Sequence, residues 1–523
     1  MPLPLTVIRA SDVAPTFSRR LDTIREVLQA QDEADCVRHF GLHTSDRLLK
    51  TTISLCPECL AHVPAAVYIR DGRVLMSKQC DVHGPSDALV ESDRAFYRLS
   101  NKDRWGRRFS ADADVVDIPA YGGGCCGEDG TCCGGAASGD GAEDFTNQWS
   151  NKTCTVLVEV TNACNLACPV CYSDARGDRK MPLEAFKQYM SEMVRRKGGL
   201  DSVQLTGGEA ALHPQFWEMV AFLHGLEGVK RIYLPTNCVL FARAENARRL
   251  VPFKDKLMVL LQFDGRKPES NHALRDANPL RLREQVLEQL QSLGVCMQLT
   301  MTISAGVNDD EVGWVMDVGM RHRMVKLVAL QPATYSGRYD LPPDPMRRAT
   351  LSDVVKAVVR QARARVADDQ FAPIPCSHPN CGWVTLFVRR FGLRVNVMRH
   401  VDLPRVMNEV AYKTVLSTDE FRGIVGTADG WARRAAGRVG KKLVRAGDVF
   451  AVAIKPFMDR FTYDQDRVSA CCHHLMDTKG RPVSFCEYNA RLRPGDSWEH
   501  WPRLDSSGGG AASVSGREVR QIG

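Results

Sequence analysis

No stretch of this 523-residue chain reaches the roughly 18 consecutive apolar residues that a spanning helix needs, which excludes a multi-spanning helical membrane protein. The opening residues, MPLPLTVIRASDVAP, lack a charged start followed by an apolar core, so no export signal is expected. Charge of one sign is scarce as well. A net charge of +7 is mild and does not by itself imply a nucleic-acid partner. Internal repeats are missing, and 44% hydrophobic with 25% charged residues excludes a collagen-like or wholly disordered chain. At this length one core is too few, and two or three packed units are expected.

Cysteine is what the chain has in quantity, with 19 residues. Without an export signal these point to metal or redox chemistry in a cytoplasmic protein rather than to disulfides. They are clustered at Cys56/Cys59/Cys80, Cys125/Cys126/Cys132/Cys133, Cys154, Cys164/Cys168/Cys171, Cys376/Cys381 and Cys471/Cys472/Cys486. Cys36, Cys238 and Cys296 stand apart and read as small buried hydrophobes.

Residues 1–110 combine a helix-like start with short strands, including a hairpin around Asp71-Gly72. Residues 111–152 hold the Gly/Cys-rich stretch YGGGCCGEDGTCCGGAASGDG, in which four close cysteines make a plain linker a poor description. From Thr155 short apolar runs alternate with amphipathic helices: TVLVEV, SVQLT, RIYLPT, LMVLLQFDG, VCMQLTMTI and VKLVALQPA. The pattern predicts an α/β parallel sheet or barrel over 153–345, with six strands rather than eight and active loops at strand C-terminal ends. Residues 346–502 read as a separate cysteine-bearing lobe and 503–523 as a disordered tail.

The first strand ends in Cys164-Asn-Leu-Ala-Cys168-Pro-Val-Cys171. Three thiolates on one tight loop can hold three irons of a 4Fe–4S cluster and leave the fourth open, whereas a structural zinc site needs a fourth ligand absent here. One strand–helix unit later comes Gly207-Gly208-Glu209, whose glycines allow close backbone approach and whose carboxylate can accept from an ammonium group. These motifs resemble the radical S-adenosylmethionine (SAM) superfamily. The resemblance implies a partial (β/α)6 TIM-like barrel, Cys164, Cys168 and Cys171 as catalytic cluster ligands, and Gly207, Gly208 and Glu209 against the SAM methionine amine. It places Val170 beside the adenine and, more loosely, Thr236, Asn237, Gln262 and Asp264 at ribose- and carboxylate-contacting positions.

Cys56-Pro-Glu-Cys59 and Cys80-Asp-Val-His83 give two knuckles suited to tetrahedral zinc or mononuclear iron, stapling a lobe with little core. Cys125, Cys126, Cys132, Cys133 and Cys154 offer one possible auxiliary 4Fe–4S ligand pool. Cys376, Cys381, Cys471, Cys472 and Cys486 offer another, with Cys471 and Cys472 interchangeable, and either pool suits zinc instead. Together with KPFMD at Lys455–Asp459 and FCEYN at Phe485–Asn489, these stretches resemble the tetraether lipid synthase family, although CCGEDGTCCGG departs from that family's loop.

That resemblance implies hydrogen abstraction from unactivated carbon of a lipid chain followed by C–C coupling, with a low-potential donor such as ferredoxin or flavodoxin. A segment at 431–446, with Trp431, Ala435, Val439 and Leu443 on one face and six basic residues, fits either peripheral contact with the inner membrane face or a solvated basic helix. The alternative is a radical SAM methylase or C–C-forming enzyme on a small molecule such as a pterin. A cobalamin-dependent methylase is disfavoured because Ser86 stands where its D-x-H-x-x-G signature needs glycine and no cobalamin domain precedes the core. A nucleic-acid module is disfavoured because no recognition helix follows the knuckles, and an electron carrier would not need the GGE site.

Overall fold

The computed structural model describes residues 10–109, 115–116, 153–401 apart from 174 and 375, and 446–504. The Cys125–Cys133 loop, the basic 431–445 stretch and the tail beyond 504 lie outside the described residues.

Helices α1 (Ala10–Ala30) and α2 (Glu33–His39) precede an antiparallel meander of β1 (Arg47–Leu55), β2 (His62–Arg70), β3 (Arg73–Cys80) and β4 (Gly84–Glu91). The β2–β3 turn has Asp71 and Gly72 at φ 50° and 75°, the positive pair that a twisted two-residue hairpin needs. The meander packs on the other end of the chain through a buried ionic knot. Lys50, on β1, is fully buried with Asp103, Asp464 and Asp466 at 2.9–3.0 Å, while Thr52 donates to Asp464 and Ser54 to the Tyr463 carbonyl.

Short β5 (Leu99–Ser100) and β6 (Val115–Val116) lead to β7 (Thr155–Glu159). The predicted six parallel strands are β7, β9 (Leu200–Thr206), β10 (Val229–Thr236), β11 (Leu257–Gln262), β12 (Cys296–Ile303) and β13 (Val325–Pro332), joined in the order 7-9-10-11-12-13. Their crossover helices, among them Leu183–Lys197 and Leu280–Leu293, cover the outer face, and both end at glycines in the left-handed region. Off the sheet, β8 (Val170–Cys171) pairs with β14 (Arg338–Tyr339) across the cysteine loop.

The C-terminal residues do not form a separate lobe. β15 (Ala372–Pro373), β16 (Trp383–Arg390), β17 (Leu393–Asn396) and β18 (Val449–Ile454) extend one edge of the barrel sheet, β18 parallel to β13. β19 (His473–Met476) and β20 (Pro482–Ser484) extend the opposite edge, β19 parallel to β7. The sheet therefore has twelve strands among the described residues. The segmental pattern suggested a lobe because these strands are short and interrupted by cysteine loops, and strand partners are not visible in hydrophobic periodicity.

The sheet wraps a cavity of about 1420 Å³. Its wall carries inward residues from the strand starts (Arg231, Cys296, Val449) to the strand ends (Gln262, Thr302, Lys455). Along β12 alone Cys296 to Thr302 is six steps, about 20 Å. The middle is largely apolar, with Tyr233, Met258, Leu260, Leu327 and Ala451. Cys296, expected as a core residue, instead lines this wall.

Candidate active site and metal centres

Cys164, Cys168 and Cys171 all line the cavity at the C-terminal ends of the barrel strands, as do Gly207, Gly208 and Glu209. The two loops are zipped together: the Gly208 N–H donates to the Thr161 carbonyl at 2.8 Å and the Glu209 N–H to that of Ala163 at 2.9 Å. A Cβ on Gly207 would lie 2.2 Å from the Thr161 oxygen and one on Gly208 2.0 Å from that of Ala163. The glycines are thus required by the approach of one loop to the other. Burial pushes the Cys164 thiol up to about 12, with Glu209 and the two other cysteines adding negative field. Such crowding of thiols favours a bound cation that neutralises them.

Glu209 is buried beneath this loop. Its Oε2 accepts from the Asn237 N–H at 2.8 Å and from the Thr236 hydroxyl at 3.2 Å, and Oε1 from the Ala211 N–H at 3.4 Å. Burial raises its pKa to about 7 despite these donors, so an incoming ammonium would find a carboxylate short of positive charge. Asn237 Nδ2 also donates to the Asn165 side chain at 2.6 Å, which ties the third strand end to the cysteine loop. Val170 is buried against Leu274 and Ala333.

Asp264 is a different case. Burial would raise its pKa, yet Arg275 and Arg283 hold it at about 2. Both its oxygens are taken: Arg275 donates twice at 2.8 Å, Arg283 at 3.2 Å and Gln262 at 2.7 Å. The expected ligand contact is therefore replaced by a buried ion pair, while Gln262 lines the cavity. Arg275, not singled out from the sequence, donates to the Val170 carbonyl at 3.3 Å and feels the Cys168 thiol. No sequence signal marks it: Asp264 is only 11 residues away, but the Val170 carbonyl and the Thr302 hydroxyl reach it from other strand ends.

The first pair of knuckles comes together. Ligand atoms of Cys56, Cys59, Cys80 and His83 lie within 4.8 Å of one another, with His83 Nδ1 3.5 Å from Cys56 Sγ and 3.6 Å from Cys80 Sγ. Three thiols and one imidazole at the tips of two hairpins suit tetrahedral zinc.

The remaining thiols regroup. Cys154, Cys376 and Cys472 are buried together within 4.8 Å, with the Cys472 and Cys376 sulfurs 3.1 Å apart. Cys154 thus joins the C-terminal set rather than the Gly/Cys-rich loop, because β7 and the residue before β19 are neighbours: the Cys154 N–H donates to the Cys472 carbonyl at 2.9 Å. Cys471 points elsewhere and interacts electrostatically with Cys381 and Cys486. The one five-cysteine pool expected from the sequence is therefore two groups, and Cys471 and Cys472 are not interchangeable. Lys102 approaches the first group from the N-terminal side, interacting with all three of its thiols and donating to the Ser377 carbonyl at 3.2 Å.

Residues 158–318 match the family described as the Radical SAM superfamily. The chain carries a radical SAM domain. Residues 48–92 match the HMPTM N-terminal zinc ribbon domain, the segment that holds the Cys56–His83 knuckles. Over 535 aligned residues the chain is 24% identical to a 7,8-dihydro-6-hydroxymethylpterin dimethyltransferase of Methanocaldococcus jannaschii, covering 88% of this chain and 98% of that one. A GTP 3′,8-cyclase of Chlorobaculum tepidum is 26% identical over 193 residues, 36% of this chain and 57% of its own length. Among solved structures, Streptococcus suis SuiB bound to its precursor peptide aligns with a TM-score of 0.34 and 14% identity, over 40% of this chain and 45% of that one. These comparisons support the radical SAM superfamily and do not show the tetraether lipid synthase resemblance. The protein is an enzyme with a radical SAM domain, and that superfamily implies a 4Fe–4S cluster, SAM and an external electron donor. The three thiols of one loop, the glycine cradle and the buried acid fit that pair of cofactors.

Proposed function

We propose that this enzyme abstracts hydrogen from an unactivated carbon of a small heterocyclic substrate of the pterin class and joins that carbon to a one-carbon group brought by a second molecule, either a further SAM or a reduced one-carbon carrier. The observation that carries it is the cavity in which Cys164, Cys168 and Cys171 meet Gly208 and Glu209 at one end of a largely apolar barrel interior. The full-length likeness to a pterin dimethyltransferase supports the substrate class.

In this proposal Cys164, Cys168 and Cys171 would hold the cluster, and the cluster with SAM would supply one-electron cleavage chemistry that yields a hydrogen-abstracting radical, the electron coming from an external low-potential donor. Glu209, in its ionised form, takes the SAM ammonium, with Thr236 and Asn237 fixing the orientation of its carboxylate. The Gly207-Gly208 backbone lets the amino-acid end lie close to the loop, and Val170 packs the adenine. Arg275 holds the Val170 carbonyl and so the end of the cysteine loop. The apolar wall excludes water from the radical and holds the target carbon next to it. Zinc in the Cys56–His83 site would be structural. The close-set Cys154, Cys376 and Cys472 would share one metal ion, and Cys381, Cys471 and Cys486 would supply three ligands of an auxiliary cluster.

A second substrate class, the alkyl chain of a lipid, is favoured by one observation. The cavity exceeds the roughly 300–1,000 Å³ of ordinary small-molecule pockets and runs the full height of an apolar barrel. Anaerobic incubation of reconstituted protein with excess SAM, reductant and a reduced one-carbon carrier, with 7,8-dihydro-6-hydroxymethylpterin in one arm and extracted total lipid in the other, separates the two. The pterin class predicts substrate-dependent 5′-deoxyadenosine and a pterin heavier by one or two methyl groups. New lipid species lighter by two hydrogens for each bond formed, with the pterin unchanged, would replace it by the lipid class.

A further inference from the structure

At the end of the barrel opposite the cysteine loop, β16 and β17 form a hairpin whose tip projects past the start of β18. Val388 pairs with Val449, and Arg389, Arg390 and Phe391 lie beyond it. β17 pairs only with β16 among the described strands, so its other side is a sheet edge. Along this edge an apolar row is left in solvent: Phe391 is 86% exposed, Leu393 66% and Val395 48%. Soluble surfaces carry isolated exposed apolar residues routinely, but a contiguous row at i, i+2 and i+4 is a contact surface.

The turn itself makes the same point. Phe391 and Gly392 have φ of 51° and 77°, a pair of left-handed positions that normally take Asn, Asp or Gly. A bulky side chain there is strained and needs packing in return. Within the described chain Phe391 has only the Arg390 guanidinium over its ring at 4.8 Å. Among the described residues no other ring or side chain is seen packing on it.

The charge around the row selects a partner. Arg390 and Arg394 flank it, and Arg389 clamps the hairpin to the turn before β13 by donating to the carbonyls of Gly319, His322, Arg323 and Val325 at 2.7–3.2 Å. Arg323 and Lys326, in that same turn, line the mouth of the barrel cavity. One acid, Asp448, accepts from Arg390 at 3.4 Å. Mutual repulsion is felt, since burial and then neighbouring Arg394 and Arg323 lower the Arg389 pKa to about 10.

We propose that the β16–β17 hairpin docks this protein on an anionic lipid surface, with Phe391, Leu393 and Val395 entering the headgroup–acyl boundary and the flanking arginines meeting headgroup phosphates. Aromatic and aliphatic tips ringed by basic residues bind such surfaces through both terms at once. The docked orientation turns the basic mouth of the barrel toward the bilayer. The docking surface does not depend on which substrate class is right, and its test involves no turnover. No helix among the described residues is long and apolar enough to cross a membrane, so the contact is peripheral.

The experiment is flotation of full-length, metal-loaded protein with vesicles of phosphatidylglycerol and phosphatidylcholine, against vesicles of phosphatidylcholine alone. Wild type is expected to float with the anionic vesicles only. The double variant Phe391→Ser, Leu393→Ser is expected to bind at least tenfold more weakly, and Arg394→Glu several-fold more weakly, both with iron content and melting temperature kept. Since Phe391 and Leu393 are solvent-exposed, both variants should fold. Failure of wild type to bind, equal binding by the double variant, or a concentration-dependent dimer that the double variant abolishes without any vesicle binding would each overturn the proposal, the last by assigning the edge to a second copy of the chain.

Discussion

The Cys56/Cys59/Cys80/His83 set and the Cys154/Cys376/Cys472 set each place sulfurs within ligand distance, yet they are built in opposite ways. The first sits on two adjacent hairpin tips within 28 residues, with Cys59 and His83 exposed. The second is wholly buried and draws on three segments separated by more than 90 residues at each step. A site formed by local turns can be lost without unravelling its surroundings. A site that pins strand β7, the loop after β15 and the start of β19 together cannot, and the barrel sheet depends on its integrity.

The largest expected effect follows from that contrast. Cys376→Ala removes the central member of the buried set and is expected to lower iron content and destabilise the whole fold, read as a single large fall in melting temperature. Cys59→Ala should leave iron unchanged and loosen only residues around 56–60 and 80–84, read by hydrogen exchange. Equal global destabilisation by both would erase the distinction.

Next comes the knot that ties the ribbon to the C-terminal segment. Lys50→Met leaves Asp103, Asp464 and Asp466 buried around an apolar side chain, and losing one partner of such a cluster costs about 3–5 kcal/mol. Denaturant unfolding should show that loss, and a change under 1 kcal/mol would mean that the knot relaxes freely.

A smaller effect separates the radical SAM site from both sets. Glu209 has its pKa raised from 4.5 to about 7, so without ligand its burial favours the fold most at low pH. That contribution fades as pH rises from about 4.5 to 7, since the unfolded chain gives up the proton first. SAM binding has the reverse sign, because the ammonium needs the carboxylate. Affinity is expected to be full above pH 7 and to fall up to tenfold for each pH unit below it, measured by equilibrium binding. Glu209→Gln should bind weakly at every pH and lose the slope.

The same contrast explains what the sequence made legible. The six parallel strands, the Asp71-Gly72 hairpin and the placement of Cys164–Cys171 beside Gly207–Glu209 all follow from short-range spacing, which periodicity and turn chemistry encode. The regrouping of Cys154, the Asp264–Arg275 ion pair and the two-sided extension of the sheet follow from which strand edges meet. For Cys154 and the sheet edges that information is spread over residues hundreds of positions apart, whereas Asp264 and Arg275 lie 11 apart, just past a strand and at the end of the helix after it, a pairing that no periodic pattern marks. Cys471 and Cys472 illustrate the limit: adjacent in sequence, they sit where a helical turn gives way to a strand, the Cys471 N–H bonding back to the Val468 carbonyl and the Cys472 carbonyl accepting from the Cys154 N–H.

The central claim is that the Cys164–Cys171 loop and the Gly207–Glu209 cradle form a SAM-cleaving site separate from the other thiol groups. Its most direct test is 5′-deoxyadenosine production by anaerobically reconstituted Cys164→Ala protein with SAM and a strong reductant. The account predicts no 5′-deoxyadenosine while substantial iron remains bound at the auxiliary groups. Cleavage at the wild-type rate by this variant would contradict it.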